Sequence, residues 1–513
     1  AQKAMAANIT IQPLFVAACI VFLVIGVDGA SGIHFASSYG DHMVLQGAPY
    51  RSVLWGFAHR VGDAVHVSLN NAQVATTTVT ANHHGSFPGI WKVKLPVQHH
   101  KGPVSIQVSS SEGSATLHDV LFGDVWFCSG QSNMGFPMGQ VFNNTEELKQ
   151  TASFTEIRTF QTALTTANTS HTDLLHTSSW NLPSSGSLAG FSAVCWLYGK
   201  YLYPHIHRPL GLIESAWGGT PIESWSSHEA LATCTHNGRR TTRAPSQPSV
   251  LWNAMVNPFV QMTIFGAIWY QGEANAGRAD KYACQFSAMI NDWRQKFHKG
   301  SDGETNSLFP FGFVQLSGFN NNFNNIGGFP DLRWAQTANY GFVPNAKLQN
   351  VFMAVAMDLP DFTSPYGPIH PRDKEDVASR LVFAGRAVAY GETGLDVQGP
   401  FPSTFSIHGS SLVIEFNHGK SPIEVRSNVG FEICCTQSAD ANYQCPLTTG
   451  WSAVHITSHS SSSITLDVAS CTGNGRHMKG IRYAWHESPC QFKHCAIYGR
   501  DNALPAPPFK HHL

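Results

Sequence analysis

Between residues 120 and 400, short apolar runs alternate with longer stretches of helical periodicity. No other feature restricts the fold of this chain as strongly. The runs fall at 125–127, 210–213, 264–269, 311–314 and 351–356, and the helical stretches include 193–203, 282–297 and 373–389. A short run without polar alternation suits a strand covered on both faces, and its alternation with helices is the pattern of a parallel sheet flanked by helices. The expected class of this part, 120–400, is α/β.

The flanks differ. Residues 33–119 carry short bursts of alternating apolar and polar residues at 52–55, 64–69, 74–79, 91–95 and 104–108, punctuated by Gly, Pro, Asn and His. That spacing predicts a β-sandwich-like module. Residues 401–513 return to strand-like bursts at 411–416, 423–425, 463–468 and 480–485, and predict a second β-rich module. Residues 226–250, polar and rich in Thr, Ser and Arg, read as a loop and as the natural site for a proteolytic nick.

At 513 residues, with 42% hydrophobic and 13% charged residues, the chain has to form several packed cores rather than a disordered polymer. A net charge of -1 gives no electrostatic case for binding nucleic acid or an anionic membrane surface. The 13 Trp suit aromatic-lined pockets of the kind that carbohydrates occupy. Residues 14–27 form an apolar run too short to span a bilayer, followed by small residues, so 1–32 is expected to be a secretory signal peptide rather than a membrane anchor. Outside that segment ten cysteines remain, an even number, as disulfides in an oxidising compartment require. Six of them (Cys434, Cys435, Cys445, Cys471, Cys490 and Cys495) crowd the last 80 residues, and none has the short paired spacing of a zinc site. Asn143 and Asn168 head glycosylation sequons.

Four segments could carry chemistry. Asp124-Val-Trp-Phe-Cys-Ser-Gly-Gln-Ser-Asn-Met134 places Ser132 at a glycine-hinged turn after a buried strand, where open α/β sheets hold their active residues. A serine there equally suits a helix N-cap, and the Gly-x-Ser-x-Gly elbow is absent because Met134 takes its last position. Gly211-Leu-Ile-Glu-Ser-Ala-Trp-Gly-Gly-Thr-Pro221 ends a strand in a Gly218-Gly219 turn whose bare backbone can approach a ligand. Ile268-Trp-Tyr-Gln-Gly-Glu-Ala-Asn275 gathers Gln271, Glu273 and Asn275 at a strand end, and an Asn side chain is a standard oxyanion donor. Finally, 351–358 delivers Asp358 to a strand end, with Asp361 and His370 following on a loop. Serine, acid and histidine come in the chain order of α/β hydrolases.

These strings, GDVWFCSGQSNM, GLIESAWGGTPIESW, WYQGEAN and DLPD…IHPRDKEDVASRL, resemble those of the sialate O-acetylesterases, a carbohydrate-esterase branch of the SGNH hydrolases. Flanking segments at 41–46, 191–195, 332–336 and 482–485 are similar too, so the resemblance runs over roughly 33–510. It implies an SGNH-hydrolase-like, flavodoxin-type parallel sheet with β-rich modules at either end. It also implies a serine esterase that removes O-acetyl groups, chiefly 9-O-acetyl, from sialic acids without a metal or organic cofactor. Carried onto this sequence, the nucleophile is Ser132, the base His370 and the acid Asp358, twelve residues before the histidine. SGNH enzymes in general place the acid three residues before the histidine, and that position is Gly367. Asp361 is the alternative acid, and a Ser-His dyad is the third arrangement. The oxyanion hole would combine the Ser132 N–H, a Gly218 or Gly219 N–H and Asn275. Gln131, Gln271 and Glu273 would face substrate, with Arg333 or Arg372 meeting a sialate carboxylate as a guanidinium suits planar anions. The compartment implied is the secretory pathway, lysosomal or secreted. The alternatives are a deacetylase of another acetylated sugar or polysaccharide, and a non-catalytic glycan-binding protein.

Overall fold

The computed structural model describes residues 32–83, 87–99, 102–234, 243–417, 422–440, 442–472 and 475–513. The expected signal peptide lies outside the described residues, apart from its last position. The central sheet contains, in spatial order, the strands Trp180–Asn181, Ile157–Gln161, Leu210–Ala216, Gly113–Gly130, Gly266–Tyr270, Phe311–Gln315 and Val351–Val355. All these neighbours pair in parallel except the short Trp180–Asn181 edge. From Leu210–Ala216 onward the five strands follow the 2-1-3-4-5 order of flavodoxin-type sheets. Ile157–Gln161 is an added strand outside them.

The apolar runs are unbroken because both faces are covered. Trp126 packs edge-on against Tyr198 of the helix Ala193–Ile206. Its neighbour Phe127 points the other way, against Trp293 of the helix Ala279–Gly300. The helices Ala193–Ile206 and Glu375–Tyr390 pack together on the first face, while Ala279–Gly300 and Phe329–Gln336 pack against each other. The Cys128–Cys195 disulfide ties the central strand to the first helix, just ahead of the Ser132 turn.

Gly113–Gly130 is 18 residues long and serves two sheets. Its first half pairs antiparallel with Val104–Ser110, and from Asp124 onward it lies between Leu210–Ala216 and Gly266–Tyr270. The expected 119/120 boundary therefore falls within one strand, at Asp119, whose φ of 54° is left-handed. Trp55, Val65, Trp91 and Ile106 of the N-terminal sheets belong to the same hydrophobic core as the central sheet.

The C-terminal module has its own core around Leu412, Ile433, Ile464, Ile481 and Phe509, joined to the central sheet through Val355 and Met357. Its six cysteines pair as Cys434–Cys445, Cys435–Cys471 and Cys490–Cys495. The reading of 226–250 as a loop is corrected in part. His228–Ala232 is a helix whose Ser227 cap accepts from the Ala230 N–H, and 235–242 lies outside the described residues.

Candidate active site

The chain reverses strand order at Gly113–Gly130, so a crevice opens at that strand's carboxyl end. Gly130 has φ 145°, and a Cβ there would collide with the Tyr270 carbonyl of the neighbouring strand. This close approach turns the chain sharply, and Gln131 N–H donates to Tyr270 O at 3.0 Å. Ser132 is left half-buried at the floor of a cleft of about 730 Å³.

His370 reaches Ser132 from a loop 238 residues away in sequence, with Nε2 2.8 Å from Ser132 Oγ. Its Nδ1 lies 2.8 Å from the backbone carbonyl of Tyr366. A carbonyl only accepts, so Nδ1 carries the proton and the Nε2 lone pair faces the serine hydroxyl. Phe136 stacks beside the imidazole, 6.3 Å between ring centres.

The loop carrying His370 is fixed to the serine turn by Asn133. Its Nδ2 donates to the Ile369 carbonyl at 2.9 Å and to Glu273 Oε1 at 2.7 Å, and its Oδ1 accepts from Lys374 Nζ at 2.7 Å. Burial pulls the Lys374 ammonium down to about 7, against the pull of Glu273, and pushes the Glu273 carboxyl up. Glu273 Oε2 has no partner among the described residues.

The backbone N–H groups of Ser132 and Gly218 donate to no acceptor among the described residues. A Cβ on Gly218 would sit 3.3 Å from Ser132 Cβ, so this backbone lies directly against Ser132. Gly219 has φ 73° and nothing within 4 Å of its Cβ position, and it does not line the cleft. Asn275 is turned away: its Nδ2 donates to Glu223 at 2.9 Å, while its Oδ1 accepts from Ile222 N and Gln271 Nε2. It braces the Gly-Gly turn instead of pointing at Ser132.

The expected acid is displaced. Asp358 is fully buried in a two-pronged ion pair with Arg380, at 2.6 and 2.9 Å, and accepts from Tyr498 Oη at 3.0 Å. Asp361 is held by Arg372 through Nε at 2.6 Å and Nη2 at 3.0 Å. Neither carboxylate contacts His370. The expected substrate contacts are also corrected. Arg333 is fully buried and donates to the carbonyls of Leu316, His486, Ser317 and Glu487, and burial lowers it to about 9. Arg372 is engaged by Asp361 and lies over the Phe142 ring. Gln131 and Gln271 are buried, and Glu273 half-buried, in the floor behind the serine; Gln131 Oε1 accepts from Ala274 N and Gln271 Nε2. Those four carbonyls engage four of the five guanidinium N–H groups, and Arg333 does not line the cleft. Asn143 and Asn168 are both exposed.

Glu214 was not singled out by sequence, although a lone carboxylate inside the buried run 210–216 is an available signal. It lines the cleft, accepts from the Ser192 N–H at 2.8 Å, and burial pushes it up to about 7. Tyr366 O and Lys374 carried no sequence signal, since any residue supplies a carbonyl and a lysine ahead of a helix is ordinary. Among the described residues, no three His, Cys, Asp or Glu side chains are grouped to hold a metal ion.

A serine hydroxyl hydrogen-bonded to a correctly protonated histidine, beside free backbone donors, defines a serine hydrolase acting through an acyl-enzyme. The family of carbohydrate esterases described as sialic acid-specific acetylesterase matches residues 122–362, and the sialate O-acetylesterase C-terminal domain matches 403–513. The chain is 39% identical to the Rattus norvegicus sialate O-acetylesterase, covering 97% of this chain and 98% of the relative. It is 40% identical to the Homo sapiens enzyme, with 97% of both covered. A carbohydrate acetylesterase from Xanthomonas citri has a similar structure, with TM-score 0.76, 27% identity, and 93% of this chain and 99% of that one covered. The chain belongs to the sialate O-acetylesterase family.

Proposed function

We propose that the protein hydrolyses O-acetyl esters of sialic acids, chiefly at the 9-position, through a Ser132–His370 dyad on an SGNH-hydrolase-like sheet. The single observation carrying this reading is the 2.8 Å contact between His370 Nε2 and Ser132 Oγ, with Nδ1 engaged by the Tyr366 carbonyl. His370 Nε2 accepts the hydroxyl proton as Ser132 Oγ bonds to the acetyl carbon. The carbonyl oxygen, now an anion, is met by the Ser132 and Gly218 N–H groups, each such donor being worth about 3 kcal/mol. His370 returns the proton to the sugar oxygen as the C–O bond breaks. Water then loses a proton to His370 and attacks the acetyl-serine, and Ser132 recovers the proton as acetate leaves. The Tyr366 carbonyl does the orienting work of a triad acid without bearing a formal charge.

Placement in the secretory pathway, lysosomal or secreted, is supported by the five disulfides among the described residues. The second reading is deacetylation of another sugar. It is favoured by the cleft itself, which among the described residues is lined by no Arg or Lys to meet a sialate carboxylate. Acetate release from 9-O-acetylated sialic acid tests the first reading. Turnover that falls by about 10³-fold or more in Ser132→Ala and His370→Ala supports it. Turnover of a neutral acetylated sugar but not of the sialate would move the substrate and keep the dyad.

A further inference from the structure

The missing cations are found elsewhere. A cavity of about 340 Å³ lies between the C-terminal module and the helix Phe329–Gln336. Three tryptophans, Trp334, Trp451 and Trp485, and three cations, Lys479, Arg482 and Lys510, line it. Trp334 and Trp485 meet edge to face at 6.1 Å, with the Lys510 ammonium 5.9 and 5.1 Å from their ring centres. The Arg482 guanidinium stacks 4.3 Å from the Trp451 ring.

These charges are incompletely answered. Arg482 is 2% exposed; its Nε donates to Glu432 at 2.7 Å and its Nη1 to the Leu447 carbonyl at 2.9 Å. Its Nη2 is buried with no acceptor among the described residues. Lys479 is 8% exposed, and its ammonium has no partner among them. Among the described residues the one carboxylate that Lys510 meets is Asp331, at 4.0 Å. In a chain of net charge -1, three cations against two carboxylates around one aromatic-walled hollow is a local excess of positive charge. A buried guanidinium N–H without an acceptor calls for an anion, and a planar carboxylate matches its geometry. Tryptophan faces suit the C–H face of a pyranose ring, the one large apolar surface a sugar presents. A second cavity of about 540 Å³ shares Asp331, Trp334, Leu447 and Lys510 with the first, which gives a chain longer than one residue room to continue.

We propose that this cavity is a non-catalytic binding site for a carboxylated saccharide, the sialic acid terminus of a glycan. The proposal rests on the preceding functional reading for the identity of the acidic sugar as sialic acid. The test uses the full chain carrying Ser132→Ala, with binding of 3′-sialyllactose, lactose and sulfate measured by ligand-observed NMR and calorimetry. The expected result is binding of sialyllactose, no measurable binding of lactose, and a loss of about tenfold in affinity for each of Trp451→Ala and Lys510→Gln, the weight of one stacking or charge-assisted contact. Trp451→Phe should retain binding. In the background with Ser132 intact, both variants should hydrolyse a small aryl acetate at the parent rate, which shows that they are folded. Sialyllactose affinity unchanged in both variants would overturn the proposal, as would lactose binding equally well or sulfate displacing sialyllactose at equal concentration. Sialoside binding at this site, together with no acetate release from 9-O-acetylated sialic acid by the protein with Ser132 intact, would sustain the site and overturn the functional reading instead.

Discussion

Asp358→Asn separates two arrangements of the catalytic residues. Were Asp358 the group orienting His370, the amide would favour the wrong imidazole tautomer and kcat would fall by about 10⁴. The structure puts no atom of Asp358 on His370. Its carboxylate instead neutralises Arg380, itself 9% exposed, which bridges the helix Glu375–Tyr390 to the Val355 carbonyl at the end of the edge strand. Removing one charge of such a pair leaves the other buried, a cost of about 3 kcal/mol. The Asn oxygen still accepts one Arg380 N–H, which keeps the loss toward the lower end. The expected variant is therefore less stable but, per folded molecule, turns over acetyl ester within about threefold of the parent, since the His370 Nδ1–Tyr366 carbonyl contact is untouched. The assay is kcat normalised to active sites titrated by an acylating inhibitor, beside the urea midpoint of the same preparation. A kcat loss of about 10³-fold or more with an unchanged midpoint would refute this reasoning and restore Asp358 to the catalytic machinery.

Glu214→Gln should alter the pH dependence of stability. A carboxyl raised from 4.5 to about 7 keeps its proton in the folded state at a pH where the unfolded chain has lost it, so its contribution is full below 4.5 and is lost as pH rises through 7. That shift is worth roughly 3 kcal/mol, so the variant should gain on the parent by up to that amount at pH 8 and match it near pH 4.5, and parallel pH profiles of the two urea midpoints would contradict this. Gly218→Ala presses a methyl group toward Ser132 Cβ at 3.3 Å and should lower kcat by about tenfold, whereas Gly219→Ala strains a φ of 73° and should lower Tm with little effect on kcat; equal kcat losses would place both amides at the oxyanion. Asn133→Ala frees the Ile369 carbonyl and strands Lys374 and Glu273, so the pre-steady-state acetylation rate should fall by about 10- to 100-fold while aryl-acetate affinity holds.

The sheet was legible because its strands are covered on both faces, so that Trp126 and Phe127, pointing opposite ways, are both apolar. The turn that carries Ser132 was legible through its glycine hinge, and Gly130 is the residue whose backbone passes so close to Tyr270 that a Cβ would collide. The helix His228–Ala232 was hidden by the polar residues around it, and is held by its Ser227 cap and the larger helix it packs on rather than by its own periodicity. Arg333 and Arg372 were misread for a physical reason. Sequence reveals that a guanidinium exists but not whether carbonyls or a carboxylate already engage it, and here both are engaged.

The two carboxylates expected to act on His370 act instead on the loop that carries it. Asp361 at the loop's start grips Arg372 just after His370, closing the segment into a ring. Within that ring Ser364 Oγ donates to the His370 carbonyl at 2.7 Å, and His370 N–H donates to Gly367 O at 2.9 Å. This brings the Tyr366 carbonyl to within 2.8 Å of Nδ1. Asp358, one strand end earlier, anchors the same segment to Arg380 and Tyr498. An acid in contact with the imidazole would stabilise its charged form directly; a carbonyl dipole fixes the tautomer with less electrostatic pull. The rate then depends on how rigidly the ring holds its shape. Arg372→Lys retains the charge but loses the two-pronged grip on Asp361, and should lower kcat with little change in KM. If kcat is unchanged while KM rises, Arg372 meets substrate after all, and the ring is not what positions the base.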